Sequence, residues 1–333
     1  MSSPAEKLQT ITFTEAFHRA LDESMAADPS VILLGEDIGD REGGGVFKVT
    51  KGLSTKYGDH RVRTTPIAEE AIVGAAVGAA LAGFRPVAEI MLMNFVTVAM
   101  DQIVNHAAKL RFMSGGQTSV PITIRTRTGA GGGTAGQHSD MLEAWFAHVA
   151  GMKVVVPSSP ADALGLLASC IFDDDPCLFI EHSGLLFGQK GDVPAGDHRV
   201  RIGTADVKRA GSSVTVLTYG AQVANALRAA DAVAGEGIDA EVIDLRSLVP
   251  LDLAAILGSV ARTKRAVVVH DASTFCGPGA ELAAIITEEL WGDLAAPVAR
   301  VGAADVPVAF APELEVHPTV DAISAALRRV AER

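Results

Sequence analysis

Two adjacent carboxylates, Glu69 and Glu70, end the segment Thr65-Pro66-Ile67-Ala68-Glu69-Glu70 and head an apolar run, 71–84, that contains no polar residue. Acidic side chains there suit the positive end of a helix dipole, and Pro66 biases Thr65 toward extended backbone. The pair either caps the helix or delivers one or two carboxylates to a site in the protein interior. A second candidate is His138, which follows the glycine-rich stretch 129–136. Imidazole titrates near neutral pH and can steer an anion or move a proton, though a lone histidine can equally be structural. Such a loop also raises the question of a dinucleotide site. Gly129 and Gly131 have no third glycine at the required offset, and no acidic ribose ligand is evident, so that reading is set aside. The third candidate is the acidic run Asp173-Asp174-Asp175, which also reads as a solvated helix end.

The elements that would hold these residues alternate between helix and strand. Apolar residues at helical spacing (Ala16, Phe17, Ala20, Leu21, Met25) predict a helix over 13–27, capped by Thr14. The run 31–35 predicts a buried strand with Glu36 and Asp37 at its carboxyl end, where open α/β sheets place their ligands. Residues 71–84 predict a buried helix whose Gly74, Gly78 and Ala82 share one face for close backbone approach. It is shorter than the roughly 20 residues needed to span a bilayer. Further strands are expected at 86–91, 120–125, 153–156 and 177–180, with helices at 95–112, from about 142, and at 161–172. Stretch 188–213 lapses into glycines, charges and polar turns and is expected as a linker. A second series follows, with strands at 214–220, 239–244, 266–270 and 298–301 and helices at 221–234, 280–290 and 320–331. The expected fold is α/β, with two doubly wound domains at 1–187 and 214–333.

Composition narrows the function classes. A chain of 333 residues exceeds the roughly 250 at which one core stops growing, which favours two domains. A net charge of −12 argues against a nucleic-acid groove or an anionic membrane surface. Cys170, Cys177 and Cys276 form neither a zinc pattern nor a disulfide scaffold, and read as reduced thiols of a cytoplasmic protein.

The motifs LLGEDIG, TPIAEEAIVGAAVGAALAGFRPVAEI, DQIVNHAAKLRFMSGG, QHSDMLEAWFAHVAGMKVVVPSSPADALGLL and AEVIDLRSLVPLD together resemble β subunits of 2-oxo-acid dehydrogenase E1 components. These are transketolase-like thiamine-diphosphate enzymes, including pyruvate, acetoin and branched-chain members. The resemblance implies a pyrimidine-binding domain followed by a transketolase C-terminal domain. It also implies an α2β2 heterotetramer with an E1 α subunit, acting on a lipoyl-bearing E2 acyltransferase. In such assemblies the α subunit grips the diphosphate and Mg²⁺ through a GDG motif, and this sequence has no Gly-Asp-Gly.

Residue by residue, the resemblance makes Glu69 the carboxyl that hydrogen-bonds the coenzyme's pyrimidine N1′. Phe95 becomes the aromatic that stacks on that ring, and Ile67 and Met91 become neighbouring wall positions. His138 matches an active-site histidine near the reacting carbon. Ile122, Cys170, Ile171, Asp173 and Asp175 align with a potassium site. The implied activity is decarboxylation of a 2-oxo acid, of pyruvate or acetoin type, followed by acyl transfer to lipoamide. A split acyloin synthase or transketolase-like aldehyde transferase, or a non-catalytic assembly subunit, are the alternatives.

Overall fold

The computed structural model describes residues 8–129, 133–186, 189–314 and 316–333. The chain forms two compact units. One holds the described residues up to Thr128 with Phe146–Ile202, and the other Gly129–Trp145 with Gly203–Arg333.

In the first unit, parallel strands lie in the order Lys153–Val155, Cys177–His182, Thr123–Thr128, Arg85–Ile90, Val31–Glu36, Val62–Thr65. The helix Phe13–Ala27 is present as expected, but its cap is Thr12 and not Thr14. Thr12 Oγ1 accepts the Glu15 N–H at 3.2 Å while Glu15 accepts the Thr12 N–H at 2.7 Å. This reciprocal capping box satisfies two helix-end donors at once, which Thr14 inside the first turn could not do. The helix buries Phe13, Phe17, Leu21 and Met25, and Phe17 meets Phe179 edge-on at 5.8 Å.

The expected single helix over 95–112 is instead a chain of short turns: α over Met93–Val96, 3₁₀ over Thr97–Ala99, π over Gln102–Ala107 and α over Leu110–Met113. The wide turn is seen in the bond from Ala108 N–H to the Ile103 carbonyl. Changing the register puts Val96, Ala99, Ile103 and Ala107 inside and leaves Val98 56% exposed. Stretch 188–213 also departs from expectation. It contains the strand Lys190–Pro194, antiparallel to Leu8–Thr12, and the strand Asp206–Arg209, antiparallel to Ala240–Asp244.

The second unit has a sheet in the order Ala299–Ala303, Ala266–Ser273, Val214–Thr218, Ala240–Asp244, Asp206–Arg209. Its first four strands are parallel neighbours. The helices Gln222–Ala234, Pro278–Leu290 and Val320–Ala331 follow the sequence pattern, while Leu253–Thr263, capped by the Asp252 side chain, was not expected. Its core joins Val214, Val216, Val242, Val267 and Val269 of the strands to Ala226, Ala230, Ile323 and Leu327 of the helices. Among the described residues no helix is long and apolar enough to cross a membrane.

Candidate active site

Glu69 is the first residue of the helix Glu69–Leu81. Ala68 supplies no side-chain cap, so Glu69 and Glu70 are the only acidic groups facing the helix dipole in that turn. Glu69 is half-buried, and among the described residues no hydrogen bond or ion pair occupies its carboxylate. Its neighbour is Glu36, at the carboxyl end of the strand Val31–Glu36. Burial raises the Glu36 carboxyl above its usual range, and Asp37 and Glu69 push it further the same way. Phe95 is half-buried in the turn Met93–Val96, Met91 is half-buried just after the strand Arg85–Ile90, and Ile67 is 75% exposed.

The same edge of the sheet holds charged groups the sequence reading passed over. Gly35 lies beside Glu89, and a Cβ on Gly35 would meet the Glu89 Cβ at 3.0 Å. Arg125 is 4% exposed and donates to Glu89 at 2.6 Å and to Glu181. Burial acts to lower the Arg125 pKa, but the Glu181 and Glu89 carboxylates outweigh it and the net shift is upward. Arg127, two residues along the same strand, is also buried and faces Glu181 across the pair of strands. The available signal was charge in strand-forming stretches, two arginines in Thr123–Thr128 and Glu181 in Cys177–His182.

His138 belongs to the second unit, half-buried in a loop that closes on itself. Its N–H donates to the Ala135 carbonyl at 3.1 Å, Ala135 has φ +63°, and Thr134 Oγ1 lies 2.9 Å from Ser139 Oγ. Gly129 is required here, because a Cβ would lie 1.9 Å from the His138 carbonyl oxygen. Residues 130–132 of the glycine run lie outside the described residues. Behind the loop, buried Glu143 accepts a hydrogen bond from Tyr219 at 2.5 Å.

Ile122, Cys170, Ile171, Asp173 and Asp175 do gather in one place, around the loop between the helix Pro160–Ile171 and the strand Cys177–His182. Their charge is met by this chain's own cations. Lys153 Nζ sits 2.6 Å from Asp173 and 3.3 Å from Asp175, and Arg111 pairs with Asp175 at 2.5 Å. Arg85 donates to the Asp173 carbonyl at 3.0 Å, and the Ile122 carbonyl accepts the Cys177 N–H. The two carboxylates are therefore spoken for, and no group of His, Cys, Asp and Glu among the described residues could hold a metal ion. A potassium ion at this place would have to rest on backbone carbonyls, since both carboxylates face cations of the chain, and no chemical step below uses one.

The helix behind Glu69 differs from the buried helix the sequence suggests. Ile72, Val73, Ala76, Val77 and Ala80 are buried, but Ala71, Ala75, Gly78, Leu81 and Ala82 form an exposed apolar face. Gly74 packs on Gln102, whereas a Cβ on Gly78 would meet nothing within 4 Å. This exposed apolar face is continued by Ile67 and by Phe84 at 43% exposure, the kind of surface on which protein–protein contacts form. Gly78→Leu should leave the melting temperature of the single chain within a few degrees and weaken subunit association; sedimentation showing unchanged mass would remove this helix from the interface.

Residues 9–189 match the transketolase pyrimidine-binding domain and residues 203–323 the transketolase C-terminal domain. The class is thus a transketolase-like α/β chain with both domains in series. The chain is 46% identical to the β subunit of acetoin:2,6-dichlorophenolindophenol oxidoreductase of Cupriavidus necator, covering 94% of this chain and 95% of that one. It is 46% identical to the mitochondrial pyruvate dehydrogenase E1 component subunit beta-2 of Oryza sativa subsp. japonica, over 97% and 87% of the two chains. It is 42% identical to the 2-oxoisovalerate dehydrogenase subunit beta of Bacillus subtilis, over 98% and 100%. Among solved structures, a split-gene transketolase, described as an inactive β4 tetramer, superposes with a TM-score of 0.79 at 25% identity, covering 97% and 98%. The chain belongs to the family of E1 β subunits of 2-oxo-acid dehydrogenases.

Proposed function

We propose that this chain is the half of a pyruvate- or acetoin-type E1 enzyme that handles the aminopyrimidine end of thiamine diphosphate. In this reading residues 1–187 form the pyrimidine-binding domain and 214–333 the C-terminal domain, and 188–213 between them gives each unit one strand. The observation that carries it is the half-buried, unengaged carboxylate of Glu69 at a helix N-terminus, next to an apolar face left open for another chain. An E1 α subunit, in an α2β2 assembly, holds the diphosphate and Mg²⁺. The description of the split-gene transketolase β4 tetramer as inactive supports such a division of labour.

When bound, thiamine diphosphate supplies the carbanion and the electron sink. Glu69 would hold the pyrimidine ring nitrogen and keep a proton shared there, with Phe95 as the flat partner of the ring and Ile67 and Met91 as its apolar walls. His138 would steer the substrate carboxylate and assist acyl passage to the lipoyl group of an E2 acyltransferase. Cys170 and Cys177 are buried thiols and Cys276 is an exposed one, which supports a reducing, cytoplasmic setting.

The decisive experiment combines the chain with its α subunit and follows 2-oxo-acid-dependent acylation of lipoamide. Acylation that needs both chains is expected. The likeness to a split-gene transketolase favours one rival, an aldehyde transferase. Carbonyl-to-carbonyl transfer without lipoamide acylation would select that rival instead.

A further inference from the structure

Arg127 lies near the carboxyl end of the strand Thr123–Thr128 of the first sheet. It is 7% exposed, and its Nε and Nη1 are buried with no hydrogen-bond partner among the described residues. The carboxylates in its surroundings are committed elsewhere: Glu89 and Glu181 both accept from Arg125. The guanidinium carbon lies over the Phe47 ring, 3.0 Å from its centroid, a cation–π contact. Burial lowers its pKa to about 10, so it stays cationic at neutral pH. A buried guanidinium without hydrogen bonds is costly to the fold, and an apolar residue of similar size would be more stable there. A planar fork of donors left unpaired matches an oxyanion. The position agrees, since open α/β sheets bind ligands beyond the carboxyl ends of their strands. Arg127 is the penultimate residue of the central strand Thr123–Thr128, and the chain runs directly from it into the Gly129 loop.

We propose that Arg127 is an oxyanion-binding residue of this chain, holding a carboxylate or phosphate group of a small ligand against Phe47. Its chemistry stands without the function proposed above, and only the kinetic arm of the test rests on that reading. The test compares wild type with Arg127→Met. First, the purified chain is melted in sodium pyruvate, in sodium phosphate and in sodium chloride at matched ionic strength. The wild type should melt higher in pyruvate or in phosphate than in chloride, and which of the two acts tells a substrate carboxylate from a phosphate. Arg127→Met should show no anion-specific rise, and in chloride it should melt about 2–4 °C above wild type. Second, in the assembly with the α subunit, the variant should raise the KM for pyruvate about tenfold with kcat nearly unchanged, the size of one charge-assisted hydrogen bond. If phosphate alone protects the wild type, KM should stay unchanged and the phosphate source is assigned. A wild type indifferent to both anions, or a variant that melts lower in chloride or responds to anions as wild type does, overturns the proposal. Loss of lipoamide acylation by the wild-type assembly would instead count against the proposed function and leave the melting arm standing.

Discussion

Glu69→Gln should lower kcat of the α–β assembly by at least about a hundredfold, the scale of one lost proton-handling group. The amide keeps the size of the side chain and can still accept a hydrogen bond, but it cannot share a proton with a ring nitrogen. The structure gives two reasons to expect little effect on folding. The carboxylate makes no hydrogen bond or ion pair among the described residues, and it is half-buried at a helix end, not in the core. Subunit mass and melting temperature should therefore match wild type. Replacing Glu69 also removes one of the charges that raise Glu36, so the Glu36 carboxyl should titrate lower in the variant. Wild-type turnover in Glu69→Gln would take the residue out of the mechanism and with it the proposed coenzyme contact.

The largest effect on stability is expected at Arg125. Arg125→Met would leave Glu89 and Glu181 in the sheet without their main counter-charge, and breaking a buried pair in this way costs about 3–5 kcal/mol. Arg127 remains nearby but makes no hydrogen bond to either carboxylate, so it offsets only part of the loss. The pH dependence follows from Glu181. Burial already raises its pKa in the native protein, with Arg125 the main force opposing that rise. Without Arg125 the folded-state pKa goes higher still. A carboxyl with a folded pKa above its unfolded value is stabilising below the unfolded pKa, and that contribution is lost as pH rises through the folded value. The deficit of Arg125→Met should therefore be greatest at about pH 8 and shrink toward about pH 5. Urea melts at both pH values measure it; a deficit independent of pH would mean that Glu181 does not take up the proton.

Much of the candidate site was legible because its signals are local. Glu69 at the head of a run of small apolar residues, and His138 after a glycine loop, are read from neighbours in the chain. The groups that were missed depend on distant partners. Arg125 is explained by Glu89 and Glu181, which are 36 and 56 residues away. The acidic run 173–175 could not be read either, since Lys153, Arg111 and Arg85 come to it from three separate elements.

The sequence by itself determined the alternation of strand and helix, the motif order of an E1 β subunit, and the pair of carboxylates that heads the small-residue helix. Periodicity and capping act over one or two turns, so they survive without knowledge of the rest of the chain. Only the tertiary structure decided that 188–213 carries strands, because Lys190–Pro194 pairs with Leu8–Thr12 across nearly the whole first unit. It likewise decided that one side of the Glu69 helix stays exposed, and that among the described residues Arg127 makes no hydrogen bond to a carboxylate where Arg125 makes two. Burial and pairing are properties of what packs alongside, and no window of sequence contains that.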